Sequence, residues 1–67
     1  MSEYEYNLSA LERIYPKQII FTKAEVAKIL NRSESTIDRL RQSGDLISKA
    51  VGNAVMFHVT EVARYLS

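Results

Sequence analysis

The stretch Phe21-Thr22-Lys23-Ala24-Glu25-Val26-Ala27-Lys28-Ile29-Leu30-Asn31-Arg32-Ser33-Glu34-Ser35-Thr36-Ile37-Asp38-Arg39-Leu40-Arg41-Gln42-Ser43-Gly44 encodes two helices in quick succession. Thr22 and Glu25 stand at capping-box spacing: the hydroxyl can accept from the Glu25 amide while the carboxylate reaches back to the Thr22 amide. Phe21 and Val26 occupy the two positions of a hydrophobic staple around the same cap. Val26, Ile29 and Leu30, with Ala27 beside them, then share one face at helical spacing. Asn31 tolerates the left-handed geometry that ends a helix. A helix over 23–30 is predicted. Ser33 caps a second start, Glu34 suits the positive end of that helix, Ile37 and Leu40 share a face, and Gly44 stops it.

Only Asn31-Arg32-Ser33 separates the two helices. A connection this short leaves no room for a wide loop and suits two helices crossing steeply, as in a helix-turn-helix. An ordinary helical corner without a recognition role fits the same spacing. Beyond Gly44 the periodicity changes. Leu46-Ile47-Ser48-Lys49-Ala50-Val51 reads as extended, Gly52-Asn53 as a turn, and Val55, Phe57 and Val59 alternate as in a strand, which together predict a two-stranded hairpin. Thr60 is the expected cap of a closing helix from Glu61 to about Leu66. Two turns do not hold in isolation, so that helix must dock on the rest of the fold.

Working back from Phe21, Asn7 is a candidate cap for a helix over Leu8–Tyr15, with Tyr6 and Leu11 as staple and Pro16 as terminator. Residues 1–6 are expected to fray. The chain thus divides into a polar lead with a short helix, residues 1–18, and a patterned body, residues 19–67. Sixty-seven residues make one domain, which buries only about 60% of the surface its unfolded chain exposes. There is no cysteine and only one histidine, His58, so disulfides, thiolate metal sites and a zinc centre are not expected. The same scarcity, with isolated glycines at Gly44 and Gly52, supplies no nucleophile–histidine–acid set, paired-carboxylate cleft or phosphate-cradling loop. No enzyme activity and no cofactor are expected.

No apolar run approaches the ~20 residues of a membrane helix, and the acidic start Met1-Ser2-Glu3-Tyr4-Glu5 is the reverse of a signal peptide. A cytoplasmic location without membrane association is the expectation. The net charge is +1. Residues 1–18 carry Arg13 and Lys17 against Glu3, Glu5 and Glu12, whereas residues 19–67 carry seven basic groups against five acidic ones. This balance does not by itself announce a nucleic-acid binder.

From Phe21 to Leu66 the chain resembles the helix-turn-helix modules of the mercuric-resistance-regulator (MerR) superfamily, and within it the small phage excisionase-like DNA-binding proteins. Phe21 to Leu30 looks like that family's first helix. Ser33-Glu34-Ser35-Thr36-Ile37-Asp38-Arg39-Leu40, followed by Arg41-Gln42-Ser43-Gly44-Asp45-Leu46, is similar to its recognition helix and the glycine turn leading to the wing. Gly52 and Phe57-His58-Val59-Thr60-Glu61-Val62-Ala63-Arg64-Tyr65-Leu66 resemble the wing's second strand and the helix after it. The resemblance covers about two-thirds of the chain. It implies a mainly α fold with a small β-hairpin, a winged helix-turn-helix. Two features depart from the pattern: Ala54-Val55-Met56 stands where the wing usually carries arginine, and Asp38 where the recognition helix often carries an aromatic residue. A carboxylate near phosphates is repulsive unless Arg41 holds it or a cytosine amino group donates to it.

Winding residues 33–43 at about 100° per residue puts Ile37 and Leu40 together, Ser35, Arg39 and Gln42 opposite, and Asp38 at the edge. With the apolar pair inward, the opposite face meets the major groove of double-stranded DNA. Arg39 is then the first candidate for a base contact, to guanine O6 and N7, with Gln42 suited to adenine and Ser35 and Thr36 as short donors near the helix start. Lys23, Arg32, Arg41, Lys49 and Asn53 are the candidate phosphate contacts that set register. Arg41 serves equally as a partner for Asp38. The resemblance implies sequence-specific binding, either as a recombination directionality factor beside a recombinase or as a small transcription regulator beside a polymerase. One small module buries only about 600–1,000 Å², so self-association on adjacent sites is also expected. The tyrosine-bearing lead and Met56 are the candidate self-contacts. A protein-interaction module on the same scaffold, with little DNA affinity, is the competing reading.

Overall fold

The computed structural model describes residues 2–67. In it the two central helices form where their caps set them, as α2 (Lys23–Leu30) and α3 (Glu34–Ser43). The Thr22 hydroxyl accepts from the Glu25 amide at 3.1 Å and the Glu25 carboxylate accepts from the Thr22 amide at 2.9 Å. That backbone hydrogen bond, with a second bond from the Gln18 side chain, holds the Glu25 carboxyl below its ordinary range. Both staple residues, Phe21 and Val26, are fully buried. Asn31 ends α2 at φ 55 and ψ 48. The Arg32 amide then donates to the Ala27 carbonyl at 2.9 Å and the Asn31 amide to the Lys28 carbonyl at 3.2 Å, the paired bonds of a Schellman end. The Ser33 hydroxyl accepts from the Thr36 amide at 3.2 Å, and Gly44 closes α3 at φ 87. The short connection is therefore fixed at both ends.

The hairpin after Gly44 consists of β2 (Lys49–Val51) and β3 (Ala54–His58), turned at Gly52 with φ 63. A third strand that the sequence reading did not anticipate, β1 (Ile20–Thr22), pairs with the other edge of β3, so the open antiparallel sheet runs β1-β3-β2. Three residues are too few to show a periodicity. What holds β1 in place is Phe21, opposite Phe57 in the register and, like it, fully buried. The extended reading of Leu46–Val51 is corrected to 49–51. Leu46 is fully buried and its amide donates to the Leu40 carbonyl at 3.1 Å, while the Ile47 amide donates to the Glu61 carboxylate, so 46–48 have no ladder to join.

The closing helix is α4 (Val59–Leu66), and its cap is His58, not Thr60. The His58 Nδ1 accepts from the Thr60 amide at 3.2 Å. The earlier start turns Val59 inward beside Val62 and Ala63, all three buried. The lead also differs from expectation. Helix α1 spans Glu3–Ile14 and is capped by Ser2 rather than Asn7. Ser2 and Glu5 form a capping box, which Asn7 has no acidic partner to match. The expected fraying of residues 1–6 is thus overturned for 2–6, and Met1 lies outside the described residues. The extra turn brings Tyr4 onto the face that Leu8, Leu11 and Tyr15 already share, and this face packs on the core. Helix α1 lies along α4, where the Asn7 side chain donates from Nδ2 to the Ser67 hydroxyl at 3.5 Å. Tyr15 meets Phe21 edge-on, with ring centroids 5.3 Å apart.

Among the described residues the result is a mainly helical fold with four helices and a small open three-stranded sheet, arranged as a winged helix-turn-helix. No helix among the described residues is long and apolar enough to cross a membrane.

Candidate nucleic-acid interface

Helix α3 carries the site, and its orientation follows from two side chains. Ile37 is fully buried and Leu40 is half-buried against the core. Ser35, Arg39 and Gln42, on the opposite side, are all exposed. This is the disposition the helical winding requires. Thr36 differs from the other candidates for base contact. It is half-buried, its hydroxyl lies 3.0 Å from the Ser33 hydroxyl, and it accepts from the Arg39 guanidinium at 3.4 Å. Its hydroxyl belongs to the capping network and steadies Arg39 rather than standing free.

The candidate phosphate contacts fall into two groups. Arg32, Lys49 and Asn53 are exposed, and among the described residues the only side-chain hydrogen bond that any of the three makes is from Arg32 to the Asn31 carbonyl, at 3.4 Å. Lys49 and Asn53 stand on the hairpin, away from α3 in sequence but joined to it through the buried Leu46. Lys23 and Arg41 instead share the Asp38 carboxylate. The Lys23 ammonium lies 3.1 Å from Oδ2 and 3.2 Å from Oδ1, and the Arg41 guanidinium donates to Oδ1 at 3.3 Å. The Lys23 hydrogen bond, followed by that of Arg41, holds the Asp38 carboxyl below its ordinary range. Sequence reasoning left open whether Arg41 would neutralise Asp38. It does so, and Lys23, from the first turn of α2, joins it.

A second cluster was not visible in the sequence. Glu61 of α4 accepts from the Ile47 amide at 2.9 Å and from Arg64 Nε at 2.9 Å, with Arg64 Nη2 close to its other oxygen. Arg64 also donates to the Asp45 carbonyl at 2.7 Å. These bonds strap the connector between α3 and β2 onto α4, fixing where the hairpin leaves the helix pair. Arg64 lowers the Glu61 carboxyl, aided by the Ile47 amide, and Glu61 in turn raises the Arg64 guanidinium. Only the i to i+3 spacing of Glu61 and Arg64 was available as a signal, and it says nothing of the connector.

Residues 20–67 match the family described as helix-turn-helix domain, so the match begins at β1 and runs to the end of α4. No curated protein and no solved structure matches the chain. A helix-turn-helix fold of this kind is compatible with nucleic-acid binding in general.

Proposed function

The chain belongs to the helix-turn-helix domain family, and on that premise we propose that it is a non-catalytic module that reads double-stranded DNA, with α3 in the major groove and the β2–β3 hairpin along the flanking backbone. The observation that carries this reading is the outward face of α3, where Ser35, Arg39 and Gln42 stand exposed behind the buried Ile37. Arg39 takes guanine O6 and N7, Gln42 takes adenine, and Ser35 supplies a short donor near the helix start. Thr36 contributes through Arg39. Arg32, Lys49 and Asn53 contact phosphates and set the register.

The likeness of residues 21–66 to small excisionase-like proteins of the MerR superfamily supports a role in biasing a recombinase toward excision, or in regulating transcription beside a polymerase. Substantial bending of bound DNA favours the first role, and its absence the second. One observation favours a competing reading, a protein-interaction surface: Lys23 and Arg41 are already paired with Asp38 and do not reach outward unopposed. Selection of duplexes from a random pool at moderate salt separates the two. A DNA reader returns an enriched sequence and an affinity that falls steeply as salt rises. An unenriched pool with no salt dependence overturns the proposal.

A further inference from the structure

Asp38, Lys23 and Arg41 form a cluster at the seam of α2 and α3 whose side chains are each about a third exposed, at 33%, 33% and 31%. Lys23 is the first residue of α2, where the helix's positive end disfavours a cation. The Asp38 carboxylate offsets that cost. Both its oxygens are engaged by the two cations. The Arg41 guanidinium is held only through Nη2. Its Nε is buried without a hydrogen-bond partner among the described residues, which leaves the group half-satisfied in its present pose. Ion pairs this exposed add little to folding stability, so the cluster needs another reason to be here.

We propose that Asp38 sets the strength of phosphate binding: its carboxylate acts as an internal counter-ion that withholds Lys23 and Arg41 from DNA phosphates and so keeps sequence-independent affinity low. The inference rests on the DNA-reading assignment. A phosphate oxygen approaching the seam must displace a carboxylate already bonded to the same two cations, and it meets the repulsion of that carboxylate while doing so. Discrimination then falls to Arg39 and Gln42, which no acidic side chain engages among the described residues. The internal anion lowers binding to every sequence by the same factor and leaves the base contacts unaltered, so absolute affinity falls while the ratio of specific to non-specific affinity stays the same.

The test is the Asp38→Asn variant, which keeps size and an acceptor oxygen but removes the charge. Each additional phosphate neutralised steepens the slope of log K against log salt by about 0.9, equivalent to roughly eightfold in affinity near 0.1 M salt. Asp38→Asn is therefore expected to bind random-sequence duplex roughly eightfold to sixtyfold more tightly than wild type, with a slope steeper by one to two such increments. Preference for the selected site over random sequence should stay the same, because the gain is common to both. Adding Lys23→Gln or Arg41→Gln to Asp38→Asn should remove one increment each, a larger effect than either change has alone. Thermal melting of each variant confirms that it is folded before titration. If wild type binds DNA but folded Asp38→Asn shows the same affinity and slope, the counter-ion inference fails while DNA reading stands. If neither protein binds any duplex at low salt, DNA reading fails and takes the inference with it. If only Asp38→Asn binds, the withholding is confirmed in its extreme form.

Discussion

The strap from α4 to the wing root gives a quantitative test of how the hairpin is held. Glu61→Gln keeps an oxygen to accept from the Ile47 amide but removes the charge that binds Arg64. Hydrogen bonds to charged groups contribute about 1.5–3 kcal/mol against about 1 kcal/mol for neutral ones, a difference of ~1–2 kcal/mol. The Glu61 side chain is only 15% exposed, but Arg64 is 50% exposed, and solvent screening places the cost near the lower end, about 1 kcal/mol. For a domain of this size that corresponds to a fall in Tm of about 4–8 °C. The assay is thermal unfolding by circular dichroism at neutral pH and again in acid. Because the folded structure lowers the Glu61 carboxyl, its contribution is fully present above the unfolded-state value near 4.5 and is lost as pH drops through the lower folded value. The gap between wild type and Glu61→Gln should therefore be constant from pH 7 to 6 and close in strong acid. Equal melting at pH 7, or a gap that persists once the carboxyl is protonated, refutes the assignment of this strap.

Arg39→Ala should cost ~1–3 kcal/mol at the selected site and reduce discrimination between sequences, whereas Lys49→Ala should weaken all sequences alike and flatten the salt slope by about one unit. Titration of both variants against selected and random duplexes checks the pair, and no change in either overturns the docking of α3. Leu11→Ala removes a side chain only 4% exposed between α1 and the rest of the core, at an expected ~2–5 kcal/mol. Domains of this length hold about 3–10 kcal/mol in all, so urea denaturation should show loss of most or all of the folded state. A change under about 1 kcal/mol would mean that α1 is not integral to the fold.

The parts of the fold legible in the sequence are those governed by bonds between near neighbours. The caps at Thr22 and Ser33, the staple of Phe21 and Val26, the left-handed Asn31 and the stop at Gly44 all depend on residues at most five positions apart. The outward set Ser35, Arg39 and Gln42 followed from the positions of Ile37 and Leu40 alone. What stayed illegible depends on distant partners. Lys23 and Asp38 are 15 residues apart, Ile47 and Glu61 14, and Asp45 and Arg64 19. The misread caps have a related cause. Asn7 and Ser2, like Thr60 and His58, are rival candidates that local chemistry ranks closely. The capping box with Glu5 favours Ser2, and the longer helix adds Tyr4 to the packed face; beginning α4 at Val59 buries that residue.

The pairing of charges also bounds what one copy of the chain can do on DNA. Of the seven basic residues in 19–67, Arg64 is committed to Glu61, and Lys23 and Arg41 to Asp38. Lys28, Arg32, Arg39 and Lys49 make no salt bridge among the described residues. With Arg39 assigned to a base, at most three of them are left for phosphates, and the exposed Arg13 and Lys17 of residues 1–18 raise the ceiling to five, a salt slope no steeper than about −4.5 for a single protomer. Single modules with so few phosphate contacts seldom combine high affinity with selectivity. A wild-type slope clearly beyond that bound therefore requires a second source of cations, either another protomer on an adjacent site or displacement of Asp38 on binding. Stoichiometry separates these sources. Only the first changes the number of chains per duplex, and only the second makes the slope insensitive to Asp38→Asn.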